Sequence, residues 1–310
     1  MGNALATSIY VLAATTSYVA VLHLFHPPDG NRDEHVVVQS RLRRALTVTV
    51  INVVLAAFMT RYVFRLSDSI GEALGYFGLG IHWSTIIDVV RTILLFAGLF
   101  TGPIIERIID DYKEMNRIQM LRRYGRDEIH ARRQYKSDNG TDEGNSSHNS
   151  PTDASEKELM IRDYLVAPGT EEIIYTGIAA GIYRPFFVDS PGMKESVTIF
   201  TPLLFGTAHL HHAFELCKEG YPTSAIVFTV TFQLLYTTLF GILTNLVFFN
   251  SGSICCCIAA HSFCNFMGVP SLKPRTESVV YKLAYWFLLA FGIWFFRTRF
   301  NSLTVPILSD

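Results

Sequence analysis

The run 223–249 contains no Asp, Glu, Lys or Arg. In helical form it is long enough to cross the hydrocarbon core of a bilayer, which takes about 20 mostly apolar residues. A segment placed in lipid must satisfy its own backbone N–H and C=O groups, so it can only be helix or part of a closed barrel. Comparable apolar lengths recur at 4–24, 45–64, 84–104 and 279–296, each with few polar interruptions. Three weaker segments, 167–188, 197–214 and 254–267, carry polar groups among apolar ones. The expected fold class is all-α, a polytopic transmembrane helix bundle of about eight membrane helices.

Composition agrees. The chain has 310 residues, 49% hydrophobic and only 17% charged, where soluble domains carry roughly 25% charged residues. With 26 basic against 27 acidic residues, charge offers no case for a nucleic-acid partner. Cys217, Cys255, Cys256, Cys257 and Cys264 are odd in number and sit mostly in apolar segments, which does not suit a disulfide framework. The Cys255-Cys256-Cys257 triplet also lacks the paired spacing of a zinc site. The first apolar stretch has no basic leader and no clear cleavage site, so it reads as a retained membrane helix rather than a signal peptide. Ala6 stands where a myristoylation pattern needs Ser or Thr.

The organisation divides into 1–104, with N-terminal membrane helices and a basic loop; 105–160, a charged loop; and 161–310, with the polar membrane helices. The part of the loop at 136–157 is rich in Ser, Asn, Gly and Asp and is expected to be disordered. Loops after the first, third and seventh helices fall on one side and are basic, with Arg32, Arg41, Arg43 and Arg44 in the first and Lys273 and Arg275 in the last. The positive-inside rule assigns that side to the cytosol and the N-terminus to the lumen. The acceptor patterns at Asn139 and Asn145 are then expected to carry no glycan.

Ionisable groups within membrane segments are costly and invite a functional reading. Asp88 and Arg91, three apart on one helix, are expected to form a structural ion pair. Glu171-Glu172 follows Pro168-Gly169-Thr170, which suits a helix start with both carboxylates in the first turn. Consecutive helical side chains diverge by about 100°, so only one of the two is expected to face the interior. Alone, the pair reads as a cap. His209, His211, His212 and Glu215 form a second group that fits a metal site, a base or interfacial polarity, a lone His here being most often structural, and no H-E-x-x-H is present. His261 and Asn265, four apart, project from one helix face and would pack against a neighbouring helix or present donors to an oxyanion.

The order of these groups goes further than any one of them. E-E, then F-x-x-x-H, then H-x-x-x-N on successive membrane helices resembles the type II CAAX prenyl endopeptidase family over about 167–270. The stretches FGTAHLHHAFE, FQLLYTTLFGILT and HSFCNFMG resemble its eukaryotic members. The resemblance implies that 161–310 is catalytic, with the site inside the bundle. It implies that Glu171 and His209 activate a water, His261 and Asn265 polarise the scissile carbonyl and hold the oxyanion, and Glu172 supports them. It implies no metal and no cofactor. The implied substrates are farnesylated or geranylgeranylated CAAX proteins such as small GTPases, presented at the lipid surface. The implied location is the endoplasmic reticulum membrane, multi-pass, with the site facing the cytosol. One position departs: the broader family pattern E-E-x-x-x-R has Thr176 at its Arg. Competing readings are a cysteine peptidase using Cys264, a zinc peptidase built on His209, His211 or His212, and a non-catalytic membrane scaffold or transporter.

Overall fold

A computed structural model describes residues 2–23, 33–80, 82–138, 154–270, 274 and 278–306. Among these residues all the extended regular elements are helical. They are α1 (Gly2–His23), α2 (His35–Phe58), α3 (Ile70–Tyr76), α4 (Trp83–Leu99), α5 (Thr101–Asp138), α6 (Glu156–Ile161), α7 (Ala167–Glu172), α8 (Ala179–Gly181), α9 (Pro191–Ala208), α10 (His211–Lys218), α11 (Thr223–Ser251), α12 (Ile254–Met267) and α13 (Val279–Thr304). The all-α membrane fold is borne out, and each expected membrane segment is helical. Four helices are long and apolar enough to span a bilayer, or five if Trp83–Leu99 and Thr101–Gln119 form one broken span. The polar segments are shorter or interrupted, and Ile254–Met267 is only 14 residues long. Most of the stretch expected to be disordered, with both glycan acceptor patterns, lies outside the described residues.

The outward faces identify the solvent. On α11, Phe228, Leu235 and Leu239 are more than half exposed, while Phe240, Gly241, Thr244, Asn245, Val247 and Phe248 are buried. Apolar surface turned outward along a whole helix, with small and polar residues turned inward, is the arrangement that lipid favours. This is a multi-pass membrane protein.

Contacts cluster the chain into two units. One comprises Met1–Phe96, Thr152–Gly268 and Thr298–Asp310; the other comprises Ala97–Pro151 and Val269–Arg297. In the second unit, α13 lies close to the chain at 98–102, where a Cβ on Gly102 would meet the Tyr285 carbonyl at 3.3 Å. The first unit holds every candidate site residue. Its most extensively packed helix pair is α9 and α11. A Cβ on Gly241 would lie 2.8 Å from Pro202, and one on Gly206 would collide with Thr238 and Leu234. The Asn245 amide donates to Thr201 Oγ1 at 2.9 Å across the same seam. Small residues allow the close approach and a buried amide sets the register. Arg91 pairs with Asp88 at 3.1 Å, as expected, and also donates to the carbonyls of Ser302 and Val305 at the end of α13.

The carboxylate pair is carried differently from expectation. The chain is helical without a break from Glu156 to Gly181. The helix starts at Ser155, whose side chain and Glu158 form a capping box. His35 and Gln39 of α2 both bind Glu158, and these hydrogen bonds lower its carboxyl to a pKa of about 2. Pro168 is therefore internal, not a helix start. It has no N–H to donate and its ring crowds the carbonyl four residues earlier. The π-helical turn Arg162–Val166 widens the helix immediately before it. A second π-helical turn, Ile173–Ile178, follows Glu172.

Gly206→Val should prise α9 from α11. Overpacking of this kind costs about 1–3 kcal/mol, so the melting temperature of the purified protein should fall by several degrees. Gly192→Ala, with nothing within 4 Å of the added atom, should leave it unchanged.

Candidate active site

Glu172 is 2% exposed, on the last turn of α7. Its Oε1 accepts from Nδ1 of His261 on α12 at 2.9 Å. Its Oε2 is buried without a hydrogen-bond partner among the described residues. Glu171 reaches the same imidazole from the other side, Oε2 to Nε2, at 3.8 Å. Both carboxylates therefore converge on His261, contrary to the expectation that only one would face inward. The divergence of consecutive side chains is real, but an imidazole carries nitrogens on two edges. A ring lying across the helix meets two carboxylates that point apart. Phe240 and Phe205 flank the ring, with centroids 4.9 and 6.0 Å away.

His209 ends α9 and its Nδ1 lies 2.9 Å from the Phe205 carbonyl oxygen. A carbonyl only accepts, so Nδ1 carries a proton, and in the neutral form of the ring the lone pair is on Nε2. The F-x-x-x-H spacing explains both contacts of Phe205, because residues four apart share a helix face. Its ring stands 4.9 Å from that of His209. Glu171, His209 and His211 line one partly open cleft of about 290 Å³ with Tyr18, Tyr175 and Phe205. Tyr18 is tied to α7 by a 2.8 Å hydrogen bond between its hydroxyl and Thr170 Oγ1.

Asn265 lies one turn beyond His261. Its amide donates to the Asp163 carbonyl in the π-helical turn at 3.0 Å, and the residue is exposed. Cys264 is a buried thiol. Thr176 is buried, and its hydroxyl faces that of Thr244 on α11 at 3.4 Å, so a hydroxyl pair stands where the broader family has a guanidinium.

Beside the cleft, potential ligand atoms of His211, His212 and Glu215 lie within 4.8 Å of one another. His212 Nδ1 is 2.9 Å from Glu215 Oε2, and Arg41 Nη2 on α2 is 3.9 Å from Oε1. Burial pushes the Glu215 carboxyl up, but His212 and the neighbouring cationic groups outweigh it and hold the carboxyl below its usual range. His209 is not part of that group. Tyr18, which lines the cleft, and Arg41, which lies beside the neighbouring cluster, were not singled out in the sequence. Tyr18 read as an ordinary aromatic of the first apolar helix, and Arg41 only as a marker of loop charge.

The segment 157–267 matches the family described as Type II CAAX prenyl endopeptidase Rce1-like. That segment, about a third of the chain, is what resembles the family. It is 27% identical to CAAX prenyl protease 2 of Saccharomyces cerevisiae over 281 residues, covering 85% of this chain and 80% of that protein. It is also 27% identical to the probable CAAX prenyl protease 2 of Schizosaccharomyces pombe over 304 residues, 96% of this chain and 92% of the relative. The human CAAX prenyl protease 2 is 32% identical over 119 residues, 38% of this chain and 34% of the relative. No solved structure matches significantly. The matched segment contains both carboxylates, His209, His261 and Asn265.

Removing one partner of a buried hydrogen-bonded pair leaves the other unsatisfied, at about 1–3 kcal/mol. A double-mutant cycle on Glu172→Gln and His261→Ala, read by thermal or denaturant unfolding in detergent, should give a coupling energy of at least 1 kcal/mol. Additive losses would mean that the 2.9 Å contact contributes nothing specific.

Proposed function

We propose that this protein is an intramembrane CAAX prenyl endopeptidase that releases the C-terminal tripeptide by glutamate- and histidine-activated water. The observation that carries the reading is the convergence of Glu171 and Glu172 on His261, with Glu171 and His209 opening into the same cleft. No serine or cysteine nucleophile is required, because two bases border a space that admits water.

The proposed step runs as follows. A water in the cleft gives a proton to Glu171, assisted by the free Nε2 of His209, as its oxygen attacks the carbonyl of the prenylated cysteine. With carboxylate acceptors at both ring nitrogens, His261 acts as the doubly protonated imidazolium, and Glu172 fixes its orientation. As the oxyanion forms, it takes a hydrogen bond from His261 Nε2 in preference to the 3.8 Å contact with Glu171. Asn265 assists with the second hydrogen of its amide, since an amide has two and the Asp163 carbonyl takes one. The C–N bond then breaks, the abstracted proton passes to the leaving amine, and the products are a prenylcysteine carboxylate and a free tripeptide. Pre-set donors of this kind commonly contribute 10²–10³ in rate.

The substrate class follows from the setting as well as from the relatives. A farnesyl or geranylgeranyl chain belongs in lipid, and the polypeptide it anchors belongs in water. Small GTPases carrying a CAAX end fit that division, and the basic residues in the loops after the first, third and seventh expected helices support a site that opens toward the cytosol. The endoplasmic reticulum membrane is the proposed location.

The His211, His212 and Glu215 cluster favours a second reading, a zinc-dependent hydrolase. The two separate cleanly with purified protein and a farnesylated CAAX peptide. Chelator should leave the rate unchanged, and Cys264→Ala should retain full turnover. Glu171→Ala and His209→Ala should each lose about 10²–10⁴ in kcat. Normal turnover in either variant sinks the glutamate mechanism, and loss with chelator restored by zinc assigns the reaction to the cluster.

A further inference from the structure

The unit formed by Ala97–Pro151 and Val269–Arg297 carries none of the candidate catalytic residues, yet it holds a partly open groove of about 460 Å³ between α5 and α13. The apolar floor of the groove is built from Gly102, Ile105 and Ile109 on α5 and from Ala284 and Leu288 on α13. Its charged lining is Glu106, Asp110 and Lys113.

Glycines explain why the groove is there. A Cβ on Gly292 would lie 2.5 Å from the Leu99 carbonyl, and one on Gly102 would lie 3.3 Å from that of Tyr285. The two segments therefore run antiparallel and touch most closely where only glycine fits. The groove follows beyond Gly102, toward Lys113 and the start of α13.

The groove has the polarity of a phospholipid. Helix α13 is long and apolar enough to span a bilayer, and Val279, Leu283 and Phe287, four apart from its first residue onward, are exposed as lipid-facing side chains are. The charged end of the groove thus lies where that span begins, and the Gly102 end lies deeper. Between Gly102 and Lys113 the helix rises about 16 Å, which matches the roughly 15 Å hydrocarbon depth of one leaflet.

The charged end also selects a headgroup. Asp110 and Lys113 both line the groove and stand 3.8 Å apart, beyond hydrogen-bond distance, so each can still bond a ligand. A carboxylate beside an ammonium complements a zwitterion. Lys113 suits a phosphate oxygen, and Asp110 suits a primary ammonium, whose three N–H groups all donate. Choline has no N–H to give. With Glu106 and Asp110 against Lys113, acidic side chains outnumber basic ones in the lining, which disfavours a headgroup of net negative charge.

We propose that this groove binds a single phosphatidylethanolamine molecule, with an acyl chain between α5 and α13 and the headgroup held by Asp110 and Lys113. The test adds phosphatidylethanolamine, phosphatidylcholine or phosphatidylglycerol of identical chains to the purified full-length protein in detergent, and native mass spectrometry counts the lipids retained. The wild type should retain one ethanolamine lipid with an apparent Kd about tenfold below that for the choline lipid, the worth of one hydrogen bond to a charged group. Asp110→Asn should erase that difference. Ala284→Trp, which fills the groove, should lose the retained lipid whatever its headgroup. Melting temperatures equal to wild type in lipid-free detergent show that the variants are folded; should Ala284→Trp not fold, Asp110→Asn decides alone. Equal retention of the ethanolamine and choline lipids by the wild type, a preference for the glycerol lipid, a preference that survives Asp110→Asn, or full retention by folded Ala284→Trp would overturn the proposal.

Discussion

The hydrogen bond between Glu172 and His261 joins α7 to α12 at a depth where neither group has water to fall back on. An unsatisfied buried acceptor or donor is expensive in such surroundings, so the contact holds the two helices in register as well as orienting the ring. The remaining site geometry follows. With Nδ1 engaged by Glu172, Nε2 has to face Glu171, and the lateral position of α12 sets where Asn265 meets the backbone at Asp163.

That register demands an unusual helix. The run from Glu156 to Gly181 widens into a π-helical turn on each side of α7. Turns of this kind are frequent at functional sites. The first precedes Pro168, which could not continue an ordinary α-helix without a clash, and it supplies the carbonyl that engages Asn265. The second follows Glu172 and carries Thr176 to the hydroxyl of Thr244. On the opposite wall, the small residues of α9 and α11 bring Phe205 and His209 close to the cleft.

Much of this was legible in the sequence for plain reasons. Apolar length defines the long helices, because a bilayer has a fixed thickness. The i, i+4 spacings of Phe205 with His209 and of His261 with Asn265 encode shared faces, because the α-helix has a fixed pitch. Other features were not legible. The helix start moved from Pro168 to Ser155, because a π-helical turn absorbs the proline and its backbone widening has no composition signature. The two carboxylates met one ring, because intrahelical angles say nothing of the shape of a partner from another helix.

The sequence by itself determined that the chain is a membrane-embedded helical protein, and which glutamates, histidines and asparagine its polar segments carry. These are local properties, written in runs and periods of a few residues. Only the tertiary structure decided that Glu172 grips His261, 89 positions away, that Tyr18 of the first helix lines the cleft, and that Arg41 approaches Glu215. Those distances depend on how close the helices pack and how each is rotated. The energies that set them are summed over side chains far apart in the chain, so no local pattern records the result.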